Sequence, residues 1–357
     1  MLKIHPRIMQ DLQNATTGKD LLPLVQGAIQ LEHATIPLYL CGLFTLKPGA
    51  NIEVGNIIRS VVIEEMLHMT LASNLMLALD GSPAINCPQF VPDYPGGLPF
   101  DIGDNLQIHL RKCSIDQIKE VYMAIEEPED PIDIPTEAMM AGAALEPEFE
   151  TIGVFYTYLS QKIGSLGEGI FKGNPDHQVV ATQWFPVSEE MFPITNVASA
   201  QKAINVIVNQ GEGARTSPFD DFGSPAHYYR FKQIVEGREL VKRPGEKPPY
   251  AFGGDPVMLD PANVWNMDPD PKIAKYKVGS RSHRMAVQFS YSYTMLLNAL
   301  HETFNGNPTM LDHAMGVMYE LRLLSQQVLA TPAEFAHANN SDQLMTGLSF
   351  EYQTVNT

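Results

Sequence analysis

The stretch VVIEEMLHMTLASNLMLALDGSP, residues 61–83, decides the fold. It lies in an apolar run that reads as a helix from about Ile52 to Leu79, stopped by Asp80-Gly81-Ser82-Pro83. The run is apolar nearly all round, the mark of a helix buried on every side. Glu65 and His68 break that pattern. Three residues apart, they project from one helix face about a turn from each other. A carboxylate and an imidazole placed that way bind one metal ion or bridge two. Among Val61, Val62, Ile63, Met66, Leu67 and Met69, the carboxylate needs a charge partner, because burying it alone is costly. Glu64, four residues before His68, is a geometric rival for the same role. Taken alone, Glu-x-x-His also describes a salt-bridging glutamate beside a hydrogen-bonded histidine.

Working outward, an earlier helix spans about Asp20 to Leu46, with Asp20 as its cap, Pro23 in its first turn and a kink expected at Pro37. It contains GAIQLEHATIPLYL, where Glu32 again sits in an almost wholly apolar run. His33 points about 100° away from Glu32 around the helix, and reads as a hydrogen-bonding core histidine rather than a ligand. The short loop between these helices predicts antiparallel packing. A third helix, about Pro147 to Ile163, carries Glu150 in PEFETIGVFYTYL. There the competing role of Glu148 or Glu150 is to favour the positive helix N-terminus. Di-iron carboxylate bundles use two single glutamates and two Glu-x-x-His pairs. A second pair is therefore expected on a fourth helix, about Ala198 to Gln210, but none is intact. The chain offers Glu212 in NQGEGAR and His227 in SPAHYYRF, with Ser224 three positions before His227. A loop that splits the fourth helix and returns the histidine from a fifth, about Pro225 to Leu240, would reunite them.

The remaining segments read as decoration. Residues 83–146 hold the Pro/Gly-rich VPDYPGGLPF, the strand-like LQIHLRKC and the amphipathic helix SIDQIKEVYMAIEE, an insertion lying over a helical core. Residues 164–197 contain QVVATQWF, another strand candidate. Residues 244–280, rich in Pro, Gly and Asp, read as a lid over a substrate. Two long helices close the chain, about Arg281 to Phe304 and Pro308 to Leu329. The expected architecture is an all-α helical bundle, one domain over residues 1–357, with extra C-terminal helices and small β and loop insertions.

Composition narrows the function. The chain has 357 residues, 44 % of them hydrophobic, and a formal net charge of −17. That is a globular composition, and its acidity argues against nucleic acid and anionic membrane as partners. Three cysteines, Cys41, Cys87 and Cys113, form neither a disulfide framework nor a CxxC zinc site, which points to a reducing compartment. The first residues lack the apolar core of a signal peptide, and the apolar stretch Ile36–Leu46 is too short to span a bilayer. A cytoplasmic location is expected. Met66, Met69 and Met76 read as core filler, and Tyr156, Tyr158, Tyr228 and Tyr229 as packing near the site. Arg215 and Arg230 read as surface charges, and Cys41 as too distant from Glu32 to share its metal.

QLEHATIPLYL, the 61–83 stretch, ETIGVFYTYL, INVIVNQGEGA and SPAHYYRF together, in this order, resemble the ferritin-like domain of the iminophenyl-pyruvate dimer synthase family. The resemblance spans roughly residues 20–240, and E-H-A-T-I-P and Q-G-E-G are its most specific signatures. It implies a ferritin-like bundle with metal ligands at Glu32, Glu65, His68, Glu150, Glu212 and His227. Such a set, all oxygen and nitrogen, suits two iron ions, with manganese or zinc as alternatives. In this reading Glu65 or Glu150 bridges them. The violacein-pathway member carries a large region before its ferritin-like part to which nothing in these residues corresponds. Its dimer-forming reaction is therefore not expected to transfer with the fold. The expected activity is that of an O2-dependent non-haem oxidase or oxygenase with a small, amino-acid-derived substrate. The rivals are a ferroxidase or metal-handling protein without organic substrate, and a structural bundle whose metal site has decayed. Exposed bundle faces leave room for a homodimer.

Overall fold

The computed structural model describes residues 5–99, 107–128, 132, 134, 152–180, 184–185, 190–212, 217–246, 249–337 and 343–354, the Glu212 side chain excepted. Its centre is a long antiparallel pair, α2 (Gly18–Thr45) and α3 (Ile52–Ala78). A short helix, α1 (Pro6–Asn14), precedes them and was not foreseen from the sequence. Asp20 lies inside α2 rather than capping it. Its carboxylate accepts from the backbone amides of Thr16 and Thr17, closing the turn that starts the helix at Gly18. α2 runs unbroken through Pro23 and Pro37. Both helices are buried along most of their length, as their all-round apolarity requires. α3 is long and apolar enough to cross a membrane by composition, yet 83 % of its most apolar window is buried inside the fold. It is a core helix.

Around this pair stand α4 (residues 115–125), α5 (Ile152–Leu166), α6 (Val197–Glu212) and α7 (His227–Glu236). Residues 147–151 of the anticipated third helix, Glu150 among them, lie outside the described residues. α4 contains a π-helical turn at Ile118–Tyr122, a feature frequent at functional sites. The helix expected to reach Leu240 stops at Glu236, because Gly237 adopts φ +72° and terminates it. The chain then forms β1 (Arg238–Lys242), antiparallel to β2 (Tyr250–Pro256), with Leu240 opposite Phe252. This hairpin occupies the start of the segment read as a lid. The rest of that segment is tied to the far end of α2. The amide of Trp265 donates to the Thr45 carbonyl, and that of Lys47 to the Asn263 carbonyl.

The strand expected within 178–185 is absent among its described residues. Asn74 makes two hydrogen bonds to the Val179 backbone instead, at 2.7 and 3.0 Å, so its peptide groups are satisfied by a side chain rather than a ladder. Among its described residues, LQIHLRKC makes one bridge, Ile108 to Gly96. The last two long helices, α8 (Arg281–Thr303) and α9 (Leu311–Leu329), pack on each other and on α2. The mostly helical architecture is the one expected.

Gly42 shows how closely α4 approaches α2. A Cβ at Gly42 would lie 2.2 Å from the Tyr122 hydroxyl, which donates to the Leu38 carbonyl at 3.1 Å. Tyr122 is fully buried and rigid, so neither partner yields readily. Gly42→Ala should therefore cost about 1–3 kcal/mol through overpacking. The check is the denaturant midpoint; an unchanged midpoint would mean that α4 is not seated by this contact.

Candidate metal centre

Glu32 on α2, Glu65 and His68 on α3, and His227 at the start of α7 converge, with Glu126 immediately after α4. Glu32, Glu65 and His68 form one group of potential ligand atoms within 4.8 Å of one another. Glu65, Glu126 and His227 form a second, and Glu65 is common to both. Of the residues implied by the resemblance, four are thus together. Glu150 and the Glu212 side chain fall outside the described residues. After α6 the chain turns at Asp220, whose carboxylate accepts from the amides of Phe222 and Ser224, and returns His227 to the cluster, wholly buried.

The imidazole orientations define the chemistry. His68 Nε2 lies 2.8 Å from Gln210 Oε1, while Gln210 Nε2 donates to Glu190 at 2.7 Å. The amide is thereby oriented, and His68 carries its proton on Nε2. Its Nδ1 faces Glu32 at 3.5 Å and Glu65 at 3.8 Å. His227 repeats the arrangement. Its Nε2 donates to Glu64 at 2.9 Å, and its Nδ1 faces Glu65 at 2.9 Å and Glu126 at 3.3 Å. In both cases a ring lone pair points at carboxylate oxygens, a repulsive geometry unless a cation or proton sits between them. A hydrogen-bonded Nε2–H behind a ligating Nδ1 is the usual way a protein orients a metal-binding imidazole. The residues present therefore fit two metal ions sharing Glu65.

The carboxylates are held as firmly. Thr35 donates to Glu65 Oε2 at 2.8 Å. Tyr156 donates to Glu32 and Tyr39 to Glu126 through short hydrogen bonds. Glu64 is the partner of a ligand rather than a rival for its place. Arg230 donates to its other oxygen at 2.8 Å, and Arg230 is buried, against the expectation of a surface charge. Burial pushes the Glu64 carboxyl up, but the His227 hydrogen bond and the His227 and Arg230 charges outweigh it and bring it down to about 2. Glu65 goes the other way. Burial and then the Glu126 charge push it up to about 7. Burial lowers both histidines, but the surrounding carboxylates outweigh this and raise them.

Glu126 was missed because its helix read as an overlay. One acidic residue in MAIEE carries no periodic signal, and only the packing of Tyr122 against α2 brings it inward. Gln210 stood inside the Q-G-E-G signature, where its residue type gave no hint of orienting His68. The cavity at the centre has a volume of about 60 Å³. Leu31, Ile125, Ile152, Ile207 and Val208 form its apolar wall. Residues 244–280 contribute nothing to it among the described residues, so the lid expectation is corrected. Cys41 is buried against Met267, clear of the centre as expected.

Residues 25–236, more than half of the 357, match the Ferritin-like family, and the chain belongs to it. No curated protein sequence matches the chain significantly. A crystal structure of a ferritin-like protein from Caulobacter vibrioides superposes with a TM-score of 0.56 at 21 % identity, covering 89 % of this chain and 97 % of the other. At that identity the likeness concerns the fold alone.

Metal uptake should release protons, because burial raises the proton affinity of Glu65 and the surrounding carboxylates raise those of both histidines. Their native affinities for protons are raised, so lowering the pH restores those protons and opposes the metal. Affinity for ferrous or manganous ion should weaken at least about tenfold from pH 8 to pH 6. Calorimetry in buffers of different ionisation heat reads both quantities. A pH-independent affinity with no proton release would refute this account of the site.

Proposed function

We propose that this ferritin-like protein holds a dinuclear metal centre, with iron as the resident metal, and uses O2 to oxidise a small metabolite. The observation carrying this reading is the pair of buried Nδ1 atoms, each aimed at carboxylates and each backed by an acceptor at Nε2. Glu32, Glu65 and His68 would hold one ion, and Glu65, Glu126 and His227 the other. When bound, iron supplies the redox capacity that reduction of O2 requires, and manganese or zinc fits the same donors. The protein's own part is preorganisation. Thr35, Tyr39 and Tyr156 fix three carboxylates, and apolar side chains line the space beside them. Within this proposal the E-H-A-T-I-P and Q-G-E-G signatures favour kinship with iminophenyl-pyruvate dimer synthases and an amino-acid-derived substrate, and the few, widely spaced cysteines favour a cytoplasmic setting. The dimer-forming reaction is not part of it.

A rival reading is oxidation of ferrous ion without an organic substrate. A metal assay and O2 uptake separate the readings. Wild-type protein from iron-supplemented cells should carry about two ions per chain. Glu65→Ala, which removes the shared carboxylate, should lose both, and Glu126→Ala should retain about one. O2 consumption that depends on an added metabolite supports the oxidase. Consumption driven by ferrous ion alone supports the ferroxidase. A wild type without metal, even after anaerobic reconstitution, would sink both and leave a structural bundle.

A further inference from the structure

A second, partly open space lies on the other side of the α2/α3 pair, between it and α8/α9. Its volume is about 80 Å³. Its walls are mostly aliphatic, aromatic and thioether side chains, among them Phe185, Phe304, Met66, Met69, Met315 and Met318. Methionines adapt to what they enclose, because their chains are unbranched and polarizable. Ile63, Met66, Met315 and Met318 are only half-buried and form a rim toward the surface. Apolar spaces of this kind stay dry and take up apolar guests.

The polar end is specific. His33 and Tyr293 both line the cavity and are almost wholly buried. The Tyr293 hydroxyl lies 2.8 Å from His33 Nε2, and His33 Nδ1 has no hydrogen-bond partner. Two tautomers are available. If Nε2 carried the proton, the Tyr293 hydroxyl hydrogen and the Nδ1 lone pair would both lack partners. If Tyr293 donates to Nε2, the one orphan is the Nδ1–H donor. The second arrangement leaves less unsatisfied and governs what the site wants: an acceptor. An unmade hydrogen bond at a buried donor is unfavourable, and a suitable guest would recover it.

We propose that this cavity binds a small, uncharged, mainly apolar molecule bearing one hydrogen-bond-accepting oxygen, such as an aryl ketone, with that oxygen on His33 Nδ1–H. The site shares no lining residue with the metal centre. It therefore stands or falls independently of the centre's chemistry.

Acetophenone and ethylbenzene, which differ by a carbonyl against a methylene, are the probes. Binding is measured by calorimetry on metal-free and metal-loaded protein, with methyl-labelled methionine NMR to locate it. Acetophenone should bind about tenfold tighter than ethylbenzene to both forms, the ratio expected for one hydrogen bond. It should shift the methyl signals of Met66, Met69, Met315 and Met318. In His33→Leu, whose fold is verified by its melting transition, the ratio should fall to about one while ethylbenzene still binds. Equal wild-type affinities, absence of binding, methyl shifts confined to other methionines, or an unchanged ratio in His33→Leu would each overturn the proposal. The wild-type comparison and the methyl map stand even if the variant fails to fold.

Discussion

Everything at the centre of this molecule depends on holding several carboxylates together away from water. Glu32, Glu65 and Glu126 converge in space enclosed by apolar helices, and each would be costly to bury alone. The surrounding architecture answers that cost. Each carboxylate takes a hydroxyl donor, from Tyr156, Thr35 and Tyr39 respectively. Two imidazoles enter with their outer nitrogens already committed, so their inner nitrogens have nowhere to point but the cluster. A cation completes such an arrangement, because one ion can accept electron pairs from a ring nitrogen and from several carboxylate oxygens together.

The partners behind the histidines extend the site well beyond its potential ligands. His68 leads through Gln210 to Glu190, whose carboxyl burial pushes up to about 7. His227 leads through Glu64 to Arg230, which also approaches Asp220. One branch keeps an oriented neutral amide against its imidazole, the other an ion pair. The two halves of the centre therefore sit in different electrostatic surroundings despite similar inner donors. His33, next in sequence to Glu32, belongs to neither branch. It faces Tyr293 across a separate apolar space, and burial pushes its imidazole down to about 3, so the ring is neutral.

The π-helical turn in α4 helps to position the centre. Tyr122 lies on it and inserts beside Gly42, where no side chain blocks the approach. Four residues later the chain presents Glu126 to the cluster. The insertion read as an overlay is thus a structural arm of the centre. The segment read as a lid forms a hairpin and then braces the end of α2. Both segments have the same loop-rich texture, and texture does not say which of them turns inward.

By itself the sequence determined the all-α bundle, the antiparallel α2/α3 core and the burial of Glu32, Glu65 and His68, because apolar runs with isolated polar residues can pack in few ways. Its signatures also pointed to His227, fifteen positions beyond Glu212 and without a local partner. Only the tertiary structure decided that Glu126 joins the cluster, that Gln210 and Glu64 orient the two imidazoles, and that Arg230 is buried. Those roles rest on contacts between residues up to 166 positions apart, made on helices whose own periodicity is satisfied either way. Local pattern reports which face of a helix is buried. Which side chains meet there is set by how the helices are brought together.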